Sequence, residues 1–380
     1  MIEDLFNPTE QHASLRKNVA EFTRREIEPQ AKHHDRTETF NTDLFKKAAE
    51  VGYLGVTIPQ KFGGAGMDTV SAVILYEEMS RSDPAFAMSC LAHSILFGHN
   101  LAENGSESQK LEYLPKIASG DSRAGIAITT PEGGTDVLAM RNTARRNGNY
   151  WILNGTKTFI TNFDGNLFLV YARTGQERDN VSLFVVESNY DGFLAGKKEQ
   201  DKMGMRASPT GDITFQDCKV PLEMIVGDVN HAVDAMKKNL EIERLTLAAI
   251  SAGIALRCID EMTNYANERK SFEKTIINYG QIKSMLANSY SEMQAARTHL
   301  YWAALNADLK LGKLHDADAV KLNAANVGTR VSDNAIQVLG GFGYCAHAVQ
   351  RLYRDARLIR IGGGTDEAME NNIAKAFTKK

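Results

Sequence analysis

The sequence predicts a mostly α-helical protein with a β domain at its centre, arranged in series as helices, then strands, then helices. Three observations predict it. Apolar residues recur at helical spacing in both flanks, as in Leu15, Val19 and Phe22 and again in Met236, Leu240, Leu247, Ile250 and Ile254. Between the flanks stand β-rich runs separated by polar, glycine-containing turns. All eight prolines lie at or before Pro221, and since proline costs about 3 kcal/mol inside a helix, the stretch beyond is free to form long ones. The division places a helical domain at 1–122, a β domain at 123–230 and a helical bundle at 231–380.

In the first domain the Leu15 stripe gives way to a loop at Lys61–Gly66, and the run Val73–Met79 resumes a helix. In the centre, Asn154–Gly155 lies between two β-rich runs, Tyr150–Leu153 and Thr156–Ile160, which predicts a hairpin turn there. Leu167–Tyr171, Val181–Val186 and Ile213–Phe215 are further strands, and the spacing predicts a small antiparallel sandwich or barrel. In the bundle, Leu305, Leu309, Val320, Val327, Val331 and Val338 mark more buried helices.

Composition narrows the class. The 380 residues are 43% hydrophobic and 24% charged with 30 glycines, ordinary globular usage that excludes a disordered, collagen-like or disulfide-stapled chain. The 44 basic against 47 acidic residues leave a charge of −3, so no basic field favours nucleic acid. The longest nearly apolar stretch, Leu245–Leu256, has 12 residues, short of the roughly 20 that span a membrane. The start Met1-Ile-Glu-Asp has neither a basic nor an apolar region of a signal peptide. Cys90, Cys218, Cys258 and Cys345 are isolated, without CxxC spacing, which predicts buried free thiols in a reducing cytoplasm. Size and composition together point to a cytoplasmic enzyme.

The nine histidines, including His33-His34, His93 and His99, show no metal-ligand spacing and read as surface or core residues. No GxSxG elbow or Walker sequence is present. Gly341–Ala346 matches GxGxxG/A in form, but a helical pattern rather than a strand precedes it, so a nicotinamide site is rejected. Glu243 is the most informative residue. It falls within the stripe Met236, Leu240, Leu247, Ile250 and Ile254 at steps of three and four, so a carboxylate interrupts a buried face. There an unpaired charge is disfavoured. Two readings stand: an ion pair with an arginine such as Arg244 or Arg269, or a general base with a tuned pKa.

Seven segments in order then resemble the acyl-CoA dehydrogenase family of flavoenzymes: Phe62–Asp68, Thr129–Asp136, Asn154–Thr161, Lys202–Ser208, Glu268–Phe272, Ala335–Gly341 and Arg354–Arg357. The resemblance runs from about residue 60 to 370. It implies the acyl-CoA dehydrogenase-like fold, a helical domain, an antiparallel β domain and a helical bundle, in agreement with the division above. It also implies non-covalent FAD, and removal of two hydrogens from the α and β carbons of an acyl thioester, most simply an acyl-CoA. Ile128, Thr129, Thr135, Phe159 and Thr161 would then line the flavin or the thioester, and Thr365 and Glu367 the cofactor's phosphate side. Arg269, Phe272, Gln337 and Gly341 would reach the FAD of a neighbouring subunit, in a homotetramer built as a dimer of dimers. For Phe159 and Phe272 the alternative is core packing.

The final loop Ile361–Thr365 has Gly363 where the family commonly carries its catalytic glutamate. The isovaleryl-CoA and long-chain branches, which this sequence resembles, hold the base on a helix at the place of Glu243. The resemblance therefore implies Glu243 as catalytic base, the Gly363 backbone N–H and an FAD hydroxyl as enolate donors, and Arg244 as a contact of the CoA pantetheine or phosphate region. The family's flavin glutamine falls at Gly280, with Gln281 one place later, and Thr130-Pro-Glu132 departs from the family order. The implied electron acceptor is an electron-transferring flavoprotein or oxygen. Oxidation of an aminoacyl or prolyl group on a carrier protein is the alternative within enzymes, a flavin monooxygenase a weaker one, and a non-enzymatic scaffold of the same fold the alternative outside them. Intact Glu243 and the flavin motifs argue against the scaffold.

Overall fold

The computed structural model describes residues 4–345 and 347–378. Met1–Glu3 and Ala346, the last position of the glycine motif, lie outside the described residues. The amino-terminal part folds into helices α1 (Glu10–Phe22), α2 (Glu28–Thr37), α3 (Thr42–Glu50), α4 (Thr69–Ser80), α5 (Pro84–Leu91), α6 (Asn100–Asn104) and α7 (Glu107–Ala118). Thr9, Asn41, Asp68, Asp83 and Ser106 each accept a first-turn N–H, satisfying donors that a helix start leaves open. Helix α4 is buried from Val70 to Ser80, which fits its near-absence of an amphipathic pattern.

The central sheet comprises β1 (Ala124–Ala127), β2 (Thr143–Asn147), β3 (Tyr150–Thr161), β4 (Leu167–Arg173), β5 (Val181–Glu187), β6 (Phe193–Lys198), β7 (Thr210–Pro221) and β8 (Ile225–Val226). The order is β6-β7-β3-β2-β4-β5-β8, with β1 also beside β4. The sheet is not purely antiparallel as expected: β1 leaves the helical domain and runs parallel to β4, as does one residue pair of β2. Nor is Asn154–Gly155 a hairpin turn. Strand β3 continues through it because both halves pair with β7, with a bulge between Leu153 and Gly155. Gly155 sits at φ +119°, where a Cβ would fall 2.7 Å from the Cα of Asn142, so the bulge needs glycine. The hairpin uses the preceding Asn-Gly pair, Asn147–Gly148, between β2 and β3, with Gly148 at φ +56°.

The proline-free segment forms α8 (Ala232–Glu268), α9 (Gly280–Asp308), α10 (Leu314–Leu339), α11 (Gly341–Cys345), α12 (Ala348–Ile359) and α13 (Asp366–Phe377). Helix α8 has 37 residues, about 55 Å of length. It lies close against α4 at Gly253, where a Cβ would meet the Glu77 carbonyl oxygen at 2.2 Å, and against α10 at Gly328, beside Ser251. The amino-terminal helices and the bundle thus share one apolar core along α8. A second core joins α7, β4, β5 and the start of α8, and a third lies within the β domain. The expected stripes hold except at Leu309, which is exposed because α9 ends one residue before it. Cys90, Cys218 and Cys258 are buried free thiols, while Cys345 is exposed. The glycine motif joins helix α10 to helix α11, so no strand feeds it. No helix among the described residues is long and apolar enough to cross a membrane.

Candidate active site

The Glu243 carboxyl lies on the buried face of α8, 9% exposed, and forms no ion pair among the described residues. The paired-structural reading therefore fails: Arg244 turns instead to Asp318, and Arg269 stands at the far end of the helix. Burial pushes the Glu243 carboxyl up to about 7, against the opposing pull of Arg244 and Lys321. A carboxyl with that value exchanges protons at neutral pH, the property a general base needs.

The loop 361–365 folds onto this carboxyl although 120 residues of chain separate them. A Cβ on Gly363 would lie 3.3 Å from Glu243 Oε1 and 2.4 Å from Leu247 Cδ1. Gly363 and Gly364 sit at φ +66° and +106°, a pair of conformations that glycine adopts without strain. The N–H groups of Gly363, Gly364 and Thr365 have no acceptor among the described residues. Successive N–H groups in such a turn form a concavity suited to an oxyanion. Their carbonyls are held from the other side: Arg244 Nε donates to Gly363 O at 3.3 Å, and Lys321 Nζ donates to Gly364 O. Arg244 also pairs with buried Asp318. The Arg244 guanidinium is thus only 7% exposed and engaged within the fold, which makes it a holder of the loop. Thr365 caps α13 by accepting the Ala368 N–H at 3.3 Å, and the exposed Glu367 carboxyl is held below its usual range, first by its own backbone N–H and then by the Thr365 hydroxyl.

Asp318 and Lys321 escaped the sequence reading. The signal that found Glu243 was present for them too: Asp318, Lys321, Ala325, Gly328 and Ser332 step by three and four along one face of α10, so two charges interrupt a stripe of small residues.

The residues expected on the flavin side gather at the ends of β1 and β3. Lys157 Nζ donates to Ile128 O at 2.7 Å, and the Thr158 N–H donates to Thr129 O at 3.0 Å. These bonds hold the segment after β1 along β3. Thr130 accepts the Gly133 N–H on its hydroxyl and on its carbonyl, both at 3.1 Å, closing the tight turn that carries exposed Thr135. Phe159 is 65% exposed at φ +59° on a second bulge of β3, and Thr161 is half-buried beyond it. Ile128 packs in the same core as Leu240, one turn before Glu243.

A separate groove of about 650 Å³ opens at the other end of α8, lined by Arg269, Phe272, Gln281, Gly341 and neighbours. Gln281, and not Gly280, faces it. Phe272 is 92% exposed, so core packing is excluded for it as for Phe159. Arg269 is exposed and makes no ion pair among the described residues, and Gln337 is exposed on the last turn of α10. An open aromatic face, a free guanidinium and an amide suit the ring, phosphate and hydroxyl groups of a dinucleotide. The groove therefore carries groups that fit part of an FAD.

No His/Cys/Asp/Glu cluster among the described residues could hold a metal ion. His93 is a core residue: its Nδ1 accepts the Ala124 N–H at 3.1 Å and its Nε2 meets Ile117 O at 2.8 Å.

Comparison with known proteins matches residues 9–121 to "Acyl-CoA dehydrogenase, N-terminal domain", 125–218 to the middle domain and 232–378 to the C-terminal domain of the same family. The chain belongs to the acyl-CoA dehydrogenase family. It is 35% identical to the mitochondrial isovaleryl-CoA dehydrogenase of Pongo abelii over 99% of this chain and 91% of that protein. It is 36% identical to a 3-(aryl)acrylate reductase of Clostridium sporogenes over 98% and 99%. The structure of butyryl-CoA dehydrogenase from Megasphaera elsdenii superposes with a TM-score of 0.95 at 29% identity, covering 98% of this chain and 99% of that one. Acyl-CoA dehydrogenases are FAD-dependent oxidoreductases that act on CH–CH bonds; in this member the Glu243 carboxyl on α8 is buried and forms no ion pair among the described residues.

Proposed function

We propose that this acyl-CoA dehydrogenase oxidises an acyl-CoA at its α,β bond with Glu243 as the base. The observation that carries the reading is the unpaired Glu243 carboxyl, raised to about 7 by burial, beside a glycine loop whose N–H groups at 363–365 have no acceptor among the described residues. The carboxylate takes the α-proton. That proton is too weakly acidic unless the negative charge growing on the thioester oxygen is met by donors fixed beforehand, which is the role assigned to Gly363 N–H and its neighbours. Bound FAD supplies the acceptor for the hydride that leaves the β carbon. Ile128, Thr129, Thr135, Phe159 and Thr161 would hold the flavin or thioester on one side, and Thr365 and Glu367 the phosphate side. Arg269, Phe272, Gln281, Gln337 and Gly341 would hold the FAD of a neighbouring subunit, in a homotetramer.

Free cysteines support a reducing cytoplasm, and the family an electron-transferring flavoprotein as acceptor. A site whose base titrates near 7 returns a proton as readily as it takes one. The 3-(aryl)acrylate reductase relative therefore favours a second reading, reduction of an α,β-unsaturated acid or its thioester, in which Glu243 would give the proton and the hydride would come from bound FAD once reduced by an electron-transferring flavoprotein.

Anaerobic mixing of the yellow protein with a panel of acyl-CoA and acyl-carrier thioesters identifies the substrate by flavin bleaching. With the best one, Glu243→Gln, which keeps volume and polarity, should bind FAD normally and bleach about 10²–10⁴-fold more slowly. Bleaching at the parent rate would remove Glu243 from the chemistry.

A further inference from the structure

We infer that Lys321 is a positioning residue of this active site, fixing the glycine loop from α10 and setting its positive charge one residue from the contact with the Glu243 carboxyl. The inference rests on Glu243 being the base.

Lys321 is fully buried, yet its only hydrogen bond among the described residues goes to a backbone carbonyl, Gly364 O. A lysine committed to the interior for one carbonyl is expensive unless the carbonyl matters or the charge does. Both conditions hold here. A trans peptide is planar, with its C=O and N–H opposed, so gripping one fixes the direction of the other. Arg244 on Gly363 O therefore orients the Gly364 N–H, and Lys321 on Gly364 O orients the Thr365 N–H, each away from the cation. The two grips come from different helices, α8 and α10, so the loop cannot roll about either one. At Gly-Gly the backbone would otherwise be the freest in the chain.

The charge acts on the same spot. Arg244 from α8 and Lys321 from α10 both favour the ionised Glu243 carboxylate, while Tyr171 of β4, whose hydroxyl burial pushes far up, stays neutral beside it. Asp318 is spoken for by Arg244. Lys321 in turn faces Asp366, Arg244, Glu243 and Arg360, and Asp366 is itself bonded to Arg360 at 2.6 Å. Burial lowers the Lys321 ammonium to about 8, so it is still charged where Glu243 ionises. Removing this charge takes away a partner of the carboxylate, so the Glu243 midpoint must move to higher pH.

Three variants separate grip from charge. Lys321→Met removes both, Lys321→Gln keeps a donor without charge, and Lys321→Arg keeps both. Two readouts apply: the pH dependence of flavin reduction by the best thioester, and the infrared titration of the Glu243 carboxyl, taken as the difference between each protein and its Glu243→Gln counterpart. Met and Gln should raise both midpoints by about one pH unit, Arg should keep them, and Met alone should also lower the high-pH plateau about tenfold through the released loop. Parent midpoints in Met and Gln would overturn the inference, as would loss of the fold in all three, which would make Lys321 a structural residue. Parent-rate bleaching by Glu243→Gln would overturn the base assignment instead, and the infrared midpoints would still decide the role of Lys321.

Discussion

At the scale of the residue, the burial of Glu243 that suits the proposed base comes at the expense of stability. Its carboxyl moves from an ordinary 4.5 to about 7, so between those values the folded chain binds a proton that the unfolded chain has released. Stability contributed by this group is full below pH 4.5 and is lost as pH rises through about 7. At about 1.4 kcal/mol per unit the loss is roughly 3 kcal/mol. Glu243→Gln should therefore melt at a higher temperature than the parent at pH 8 and at the same temperature at pH 4, measured by calorimetry on both FAD-free proteins. Equal melting at both pH values would show that the carboxyl is hydrated in solution. Gly363 illustrates the converse constraint. A glutamate at that position would need φ +66° and the space now filled by Leu247 Cδ1, so the loop has no ready room for a carboxylate side chain at 363.

At the scale of the element, the irregular parts of β3 and the turn after α8 stand out. Phe159 and Phe272 both have positive φ, +59° and +45°, and both rings face outward. Exposed aromatic rings on strained backbone contribute little to the fold, and such strain concentrates at ligand sites. Phe272→Ala should leave the unfolding free energy of the FAD-free protein unchanged within about 0.5 kcal/mol while weakening FAD binding about tenfold, the value of one lost aromatic contact. Fluorescence titration of the FAD-free protein with FAD checks it, and unchanged affinity would assign the ring to another partner. The other bulge of β3, between Leu153 and Gly155, explains why the sequence misled at Asn154–Gly155. An Asn-Gly pair demands positive φ at glycine, but a hairpin turn and a bulge satisfy that demand equally, and pairing with β7 chose the bulge.

At the scale of the whole molecule, the length of α8 has a consequence for assembly. From Glu243 to the C-cap Arg269 the helix spans 26 residues, about 39 Å, more than one cofactor can bridge. If both ends serve FAD, they serve different FAD molecules, and each site is completed by a second copy. Glu243→Gln and Arg269→Ala variants should each be inactive alone, yet mixed assemblies formed by co-expression should recover activity. In such an assembly one site combines an intact Glu243 with an intact Arg269 from the other chain. No recovery in assemblies that contain both variants would place Arg269 outside the cofactor site.

The sequence by itself determined what depends on local chemistry and order along the chain: the helix–sheet–helix series, the long proline-free α8, the family motifs, and the anomaly of a carboxylate in an apolar stripe. Periodicity carries that information because a helix repeats every 3.6 residues whatever it packs against. Tertiary structure alone decided the partners. Whether Glu243 met an arginine, that Arg244 would turn to Asp318, and that Lys321 would reach the Gly364 carbonyl depend on how α8, α10 and the final loop lie together in space. The physical reason is that a buried charge is settled by whatever stands within a few ångströms of it, and those neighbours are here 43 to 120 residues away along the chain.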